Sequence, residues 1–286
     1  MDFTKETIKK GRAEKAYDNK EFIHSRDGRL IRMLSEYLYP EQYFRKYGVK
    51  NAIVFYGSAR TLSLEQFNYQ LKTMNDRFEL ANESEKPAIK KEIDAFMKKK
   101  VITDCYQEAL KLAEMLGTWS LTLPKKDRFY IATGGGPGMM EAANRGATRA
   151  GCPSIGLNIS LPFEQNPNNY ITDDLNFEFH YFFMRKYWFV SLAKAFVALP
   201  GGLGTLDELT ELLTLIQTTK LTRRLPIVLF NDIFWKSLID FEYLVETGMI
   251  KRKDLDLFVY CNSADEAFDY LTKELTEIHK LKVQKK

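Results

Sequence analysis

Residues 195–208 read AFVALPGGLGTLDE, an apolar run followed by a glycine-rich turn and an acidic pair. The apolar run predicts a buried strand, and the apolar residues of 209–219 recur at helical spacing. The glycines therefore lie at a strand-to-helix turn, where a ligand can approach the backbone closely. The unpaired N–H groups at the start of the following helix favour an anion. This stretch predicts a phosphate site, and Glu208 adds a carboxylate close to it.

The same alternation of strand, turn and helix recurs along the chain. Short apolar runs that end in Gly, Asn or Asp turns predict parallel strands at 52–56, 129–133, 195–199 and 226–230, with weaker candidates at 154–158 and 257–261. This pattern predicts an α/β fold, a doubly wound parallel sheet (Rossmann-like) flanked by helices. Ligands of such sheets bind beyond the carboxyl ends of the strands. Three glycine turns meet at that edge, at 57–59, 134–138 and 200–204.

Two regions lie outside this repeat. Residues 1–48 carry helical periodicity and predict an N-terminal helical extension to a nucleotide-binding catalytic domain over 49–286. Residues 62–100 form a charged insertion in that domain. Because acidic residues alternate with the lysines there, we expect a solvated helical pair or hairpin rather than a nucleic-acid surface.

The composition is that of an ordinary globular protein. The 286 residues include 42 Lys and Arg against 38 Asp and Glu, a net charge of +4 that is too balanced to predict nucleic-acid binding. Cys105, Cys152 and Cys261 are widely spaced and odd in number, which favours a reducing compartment over a disulfide framework. The polar first 20 residues and the lack of a long apolar run predict a cytoplasmic protein without a membrane span.

The turn at Gly134–Glu141 reads GGGPGMME and leads from a strand into a helix. Such a turn can serve only to pack strand against helix, and this alternative stays open. The turn lacks the lysine and hydroxyl of a P-loop, so an ATPase or kinase site is disfavoured. The acidic residue of a dinucleotide fingerprint is also missing.

An aromatic block at 177–189 is interrupted by two adjacent cations, Arg185 and Lys186. They lie near the predicted start of a helix, where a positive charge opposes the helix dipole. An anionic ligand would explain them. An ordinary ion pair that covers the aromatic rings would explain them as well.

Together these motifs resemble the LOG (Lonely Guy) family, long labelled as lysine decarboxylases. The resemblance rests on GSA at 57–59, GGGPGMME at 134–141, MRK at 184–186 and PGGLGTLDE at 200–208. It covers roughly residues 22–270, and the lead-in SRDGRLIRMLSEYL is similar to that of the longer bacterial members. Members of this family are phosphoribohydrolases, which split the N-glycosidic bond of a nucleoside 5′-monophosphate into free base and ribose 5-phosphate.

The resemblance implies roles for individual residues. Arg185 and Glu208 would be the catalytic pair. Physical chemistry is consistent with this, because a carboxylate can stabilise the ribosyl cation-like state of N-glycoside cleavage. The substrate-binding residues would be Ser58, Gly135, Gly136, Glu141, Lys186, Gly201, Gly202, Gly204 and Thr205.

The resemblance also implies a substrate and an assembly. AMP or a related purine nucleotide would be cleaved, with a cytokinin ribotide as a narrower option, without a metal or a cofactor, by a homodimer or a higher homo-oligomer. The alternative is a carrier protein of the same fold that binds a nucleotide or cofactor without hydrolysing it. Lysine decarboxylation is disfavoured, because no lysine stands out as the Schiff-base residue that pyridoxal phosphate needs.

Overall fold

A computed structural model describes residues 13–162 and 166–281. Within them seven strands form one sheet in the order β4-β3-β2-β1-β5-β6-β7, and every neighbouring pair is parallel. The strands are β1 (Ala52–Tyr56), β2 (Tyr130–Thr133), β3 (Ser154–Ile159), β4 (Asn176–Phe179), β5 (Ala193–Ala198), β6 (Ile227–Phe230) and β7 (Val259–Cys261).

The strand order places a switch point between β1 and β5. From β1 the chain adds β2, β3 and β4 on one side, and it then returns to pair β5 with the other side of β1. Connections therefore leave in opposite directions from the carboxyl ends of these two strands, which opens a crevice for a ligand. The glycine turns that follow β1 and β5 border this crevice.

Helices cover both faces of the sheet. They are α1 (Lys20–His24), α2 (Arg29–Tyr47), α3 (Leu64–Leu80), α4 (Lys86–Met97), α5 (Lys100–Leu121), α6 (Met139–Arg149), α7 (Phe182–Leu192), α8 (Leu203–Gln217), α9 (Asp232–Leu238), α10 (Phe241–Glu246) and α11 (Ala264–His279). Alternate residues of β1 enter different apolar clusters, with Ile53 and Phe55 in one and Val54 and Tyr56 in the other. Because successive side chains of a strand point to opposite faces, the sheet carries a core on each side.

The predicted fold class is confirmed, and the structure adds one strand. All six predicted strands are present, with bounds shifted by a residue or two. The seventh, β4, was missed. It is an edge strand whose residues alternate between exposed and buried, and its phenylalanines merge in the sequence with the aromatic block of α7.

Helix α8 begins earlier than the apolar spacing of 209–219 predicted. It starts at Leu203, so Gly204 and Thr205 belong to the helix and not to the turn before it, and Glu208 lies inside the helix, as predicted. The glycine lowered the apparent helical signal, although the first turn of a helix tolerates it at small cost. Glu208 thus has a fixed direction, set by the helix.

The regions outside the repeat are helical. The insertion forms two helices, α3 and α4, which contact each other through the stacked rings of Phe67 and Phe96, 4.8 Å apart. Helices α1 and α2 precede the sheet, whereas residues 1–12 of the predicted extension lie outside the described residues. The division at residue 48 into extension and catalytic domain stays a prediction. In the part of the chain described, no helix has the length and apolar character to cross a membrane.

Candidate active site

The turns after β1, β2 and β5 are joined through the backbone of one residue, Ser58. Its N–H donates to the carbonyl of Pro200 at 3.1 Å, and its carbonyl accepts from the N–H of Met139 at 2.9 Å. These bonds link the predicted phosphate turn to the start of α6. The sheet therefore brings together the three glycine turns that the sequence placed at one edge.

Glycine is required where these turns touch. A methyl group on Gly138 would lie 2.4 Å from the carbonyl oxygen of Ser58, and Gly138 has a φ of +70°. On Gly135, with a φ of +74°, it would overlap the amide of Asn158 at 2.0 Å. Both positions exclude a side chain by space and by backbone conformation. Packing of strand against helix therefore accounts for part of this turn, as the sequence had left open.

The space in front of α8 is open. In the described chain no side chain caps the helix at Gly202, and a methyl group on Gly202 or Gly204 would meet no atom within 4 Å. Thr205 is buried and packs against Gly201. The first residues of α8 are thus exposed and carry no side-chain cap, an arrangement suited to an anion.

Arg185 and Glu208 meet at this edge. The Nη2 of Arg185 on α7 donates to the Oε1 of Glu208 on α8 at 2.7 Å, and each side chain is only 11% exposed. The guanidinium lies between the rings of Phe182 and Phe189, at 5.4 and 5.6 Å from their centres. Its Nε has no hydrogen-bond partner among the described residues. The pair is therefore buried, held by packing, and has an unused donor.

The second glycine turn borders the same guanidinium. The Nη1 of Arg185 lies 3.6 Å from the place that a methyl group on Gly134 would occupy. The structure thus brings Arg185, Glu208 and the glycine turns into one region, as the motifs predicted. Their catalytic and binding roles stay a prediction.

Burial raises the pKa of Glu208 to about 7. The positive charge of Arg185 opposes this rise, and the negative charge of Asp207 adds to it. Desolvation disfavours the ionised form of a carboxyl, and here it outweighs the ion pair. Glu208 can therefore gain or lose a proton close to neutral pH, as acid–base catalysts do.

Tyr56, the last residue of β1, was missed by the sequence interpretation. It is buried, and burial followed by the negative charge of Glu208 raises the pKa of its hydroxyl. Its ring packs against Phe189 at 5.2 Å. The hydroxyl therefore stays neutral and lies within reach of the charges of the buried pair. Its position before the GSA turn was the only signal that could have identified it.

Lys186 has partners of its own on α8. Its ammonium donates to Asp207 at 2.7 Å and lies 3.0 Å from the carboxylate of Glu211. Burial lowers the pKa of Lys186, but its hydrogen bonds to these two carboxylates outweigh this and raise it. Lys186 is therefore part of an ordinary ion pair, the second explanation that the sequence offered for the two adjacent cations. Its role toward a substrate stays a prediction.

Glu141 lies in the first turn of α6 and accepts a hydrogen bond from the hydroxyl of Tyr106 at 3.1 Å. Tyr106 belongs to α5, so this bond directs the carboxylate toward a neighbouring helix. The structure thus places Glu141 beside the second glycine turn but in contact with α5.

Asn168 supports the second glycine turn and was also missed. Its amide donates to the carbonyls of Gly135 and Gly136, each at 3.0 Å, and to the side chain of Asn144 at 2.9 Å. These bonds hold the turn in one conformation. The sequence signal was weak, because Asn168 lies in the NPNN segment at 166–169, which reads as an ordinary loop.

Across residues 13–162 and 166–281, no group of three or more His, Cys, Asp or Glu side chains is arranged to hold a metal ion.

Comparison with known proteins agrees with the sequence motifs. Residues 140–271 match a family model described as "Possible lysine decarboxylase". Two proteins of Oryza sativa subsp. japonica, each named as a probable cytokinin riboside 5′-monophosphate phosphoribohydrolase, are similar. LOG4 is 35% identical over 91 residues, and LOGL3 is 37% identical over 89 residues. The matches cover 31% and 30% of this chain, and they span about two fifths of each relative's length, 39% and 41%.

Solved structures show weaker likeness. A molybdenum cofactor binding protein of Rippkaea orientalis is 24% identical, with a TM-score of 0.41, over 59% of this chain and 89% of its own. A Moco carrier protein of Chlamydomonas reinhardtii is 16% identical, with a TM-score of 0.41, over 79% and 99%. Similarity at this level bears on neither ligand nor activity.

Proposed function

Because this chain belongs to the LOG family, we propose that it hydrolyses the N-glycosidic bond of a nucleoside 5′-monophosphate to free base and ribose 5-phosphate. AMP or a related purine nucleotide is the proposed substrate, and a cytokinin ribotide is the narrower option. One observation supports this most strongly, the buried contact of Arg185 with Glu208 beside the uncapped start of α8.

The substrate phosphate would bind at the N-terminus of α8. The first-turn N–H groups and the positive end of the helix dipole favour a dianion there. The absence of neighbouring atoms beside Gly202 and Gly204 leaves room for the phosphate, and the hydroxyl of Thr205 adds a hydrogen-bond donor close by. Glu208 lies further along the same helix, so a nucleotide held by its phosphate would present its ribose to that carboxylate.

The buried pair suits the chemistry of the bond that breaks. The bond between C1′ and the base nitrogen is cleaved with its electron pair leaving on the base, and the ribose develops positive charge at C1′. Ionised Glu208 stabilises this charge and takes a proton from the attacking water, whose oxygen bonds to C1′. The proton that Glu208 takes from water is then given up to the departing base nitrogen, directly or through solvent, so one water is consumed and Glu208 is ionised again. Arg185 stays protonated and fixes the position of Glu208.

Base release from a panel of nucleotides tests this function. The protein is incubated with AMP, GMP, CMP and UMP, and free base and ribose 5-phosphate are measured by chromatography. We expect at least one nucleotide to be cleaved, and we expect the matching nucleoside to be a much poorer substrate because it lacks the phosphate. Binding of nucleotides without base release at high enzyme concentration would favour the carrier alternative instead.

We also propose a homodimer as the smallest assembly. Helices α2 and α7 contact each other and expose apolar side chains, including Leu34 at 60% and Phe183 at 50%. Large exposed apolar side chains on neighbouring helices are typical of interaction surfaces. A cytoplasmic location stays a prediction.

A further inference from the structure

Glu36 joins the N-terminal helix α2 to the start of α7. Its carboxylate accepts hydrogen bonds from the backbone N–H groups of His180 at 2.8 Å and Tyr181 at 3.3 Å. Its own carbonyl accepts from the indole N–H of Trp188 at 3.1 Å. One residue of α2 thus makes three hydrogen bonds to α7 and the two residues before it.

Helix α7 has no cap from its own sequence in the described chain. Tyr181 at its N-cap makes no side-chain capping bond, and its first turn holds no acidic residue. The first N–H groups of a helix need partners, and a negative charge there interacts favourably with the helix dipole. Glu36 comes from another element, 145 residues away from Tyr181 in the sequence. It binds the N–H groups of His180 and of the N-cap residue Tyr181, directly before the helix, and places its carboxylate near the start of α7.

The side chain of Glu36 is held in place by its surroundings. It is half-buried, and the ring of Tyr37 next to it stacks on Trp188 at 5.5 Å. Phe44 packs edge-on against the same indole at 5.1 Å. Rings from two turns of α2 therefore lock this helix onto α7, which makes the carboxylate a fixed partner of the helix start.

Arg185 is the fourth residue of α7, one turn beyond Tyr181, whose N–H group Glu36 binds. We propose that Glu36 is a positioning residue for the reaction: it holds the first turn of α7 so that Arg185 keeps its contact with Glu208. This role rests on the proposed function. Catalytic groups need to be held to within about 0.5 Å of their productive positions. Without Glu36 the first turn of α7 frays, and the buried Arg185 is no longer held against Glu208.

A loss of contact between Arg185 and Glu208 should change the pKa of Glu208. Arg185 and Lys186 lower the pKa of Glu208, whereas burial, Asp207 and Glu211 raise it. The negative charge of Glu208, after burial, also raises the pKa of the Tyr56 hydroxyl. These groups lie on β1, α7 and α8, and none lies on α2. We therefore expect a change of Glu36 to reach Glu208 through the position of α7.

The experiment compares Glu36→Ala and Glu36→Gln with Glu41→Ala. Gln keeps an acceptor oxygen for the N–H groups but loses the charge, so it should partly rescue the protein. Glu41 lies on the same helix and makes no hydrogen bond or ion pair within the described chain, which makes it a matched control. Hydrogen–deuterium exchange at residues 180–184, a ¹³C NMR titration of the Glu208 carboxyl and AMP turnover are measured for each.

We expect Glu36→Ala to speed amide exchange at 180–184, to raise the midpoint of the Glu208 titration, and to lower kcat by about 10–100-fold at nearly constant KM. Glu36→Gln should be intermediate, and Glu41→Ala should match the wild type. An unchanged midpoint in both Glu36 variants would overturn the proposal. If the wild type releases no base while exchange and titration change as expected, the positioning is upheld and the proposed function is what fails.

Discussion

At the scale of single residues, the chemistry depends on a carboxyl group whose burial disfavours its ionised form. Glu208 ionises near neutral pH because desolvation outweighs the charge of Arg185. A buried ion pair of this kind contributes little net stability, since removing two charges from water costs as much as their attraction returns. The arrangement is therefore better explained by function than by folding.

The raised pKa of Glu208 makes the stability of the protein depend on pH. A carboxyl whose pKa rises from 4.5 to about 7 on folding binds its proton more tightly in the native state. The free energy of unfolding therefore falls as the pH rises from the pKa of the unfolded state to that of the folded state. Each unit of pKa difference corresponds to roughly 1.4 kcal/mol, so the loss is up to about 3 kcal/mol. The Glu208→Gln variant should lose less of its Tm between pH 5 and pH 8 than the wild type. Calorimetry checks this.

A matched control is available in Glu274. Its side chain is 13% exposed and pairs at 2.7 Å with Arg224, which is 59% exposed, whereas both partners of the Arg185–Glu208 pair are buried. Glu274→Gln should keep the pH dependence of the wild type. If Glu208→Gln shows that same dependence, the buried carboxyl does not titrate near pH 7.

At the scale of elements, the start of α8 combines an open space with an uncapped helix end. Folding does not need this openness, because a side chain at Gly204 would have room. The position therefore separates effects on stability from effects on binding.

We predict that Gly204→Asp leaves the Tm equal to or above that of the wild type, because an acidic residue in the first turn favours a helix. The same carboxylate repels the substrate phosphate, so KM for AMP should rise at least 10-fold. A tenfold change in affinity corresponds to about 1.4 kcal/mol of binding free energy. Gly204→Ser serves as the uncharged control. Equal KM values for the two variants would place the phosphate elsewhere.

The strands and glycine turns could be predicted from the sequence, whereas the contacts between distant side chains could not. The apolar runs and glycine turns identify the strands because burial in a parallel sheet requires unbroken apolar residues. The partners of Lys186, and the support of Gly135 by Asn168, depend on which side chains meet in space. Nothing in the local sequence encodes those contacts. Edge strand β4 was not predicted, because its exposed face allows polar residues and such a sequence resembles a loop.

At the scale of the whole molecule, the N-terminal helix α2 connects function with assembly. Through Glu36 it holds the two residues before α7. It also exposes a row of apolar side chains, Leu30, Leu34 and Leu38, spaced four residues apart. Residues at this spacing share one face of a helix.

We predict a homodimer that uses this row. Light scattering after size exclusion should give twice the chain mass of 33.3 kDa. Leu34→Asp should shift the protein toward monomer, because a charge is costly in an apolar interface. Leu80→Asp is the control, since Leu80 is 88% exposed and belongs to α3 and not to α2. A wild type that elutes at 33.3 kDa over a wide concentration range would contradict the dimer.

The claim that Glu208 cleaves the glycosidic bond is tested most directly by the release of base from the preferred nucleotide of the panel. Wild type, Glu208→Gln and Glu274→Gln are compared at equal concentration, with nucleotide binding measured by calorimetry in parallel. Wild type and Glu274→Gln should release base and ribose 5-phosphate. Glu208→Gln should bind the nucleotide but release base at least about 10²-fold more slowly. Base release by Glu208→Gln at the wild-type rate would contradict this account.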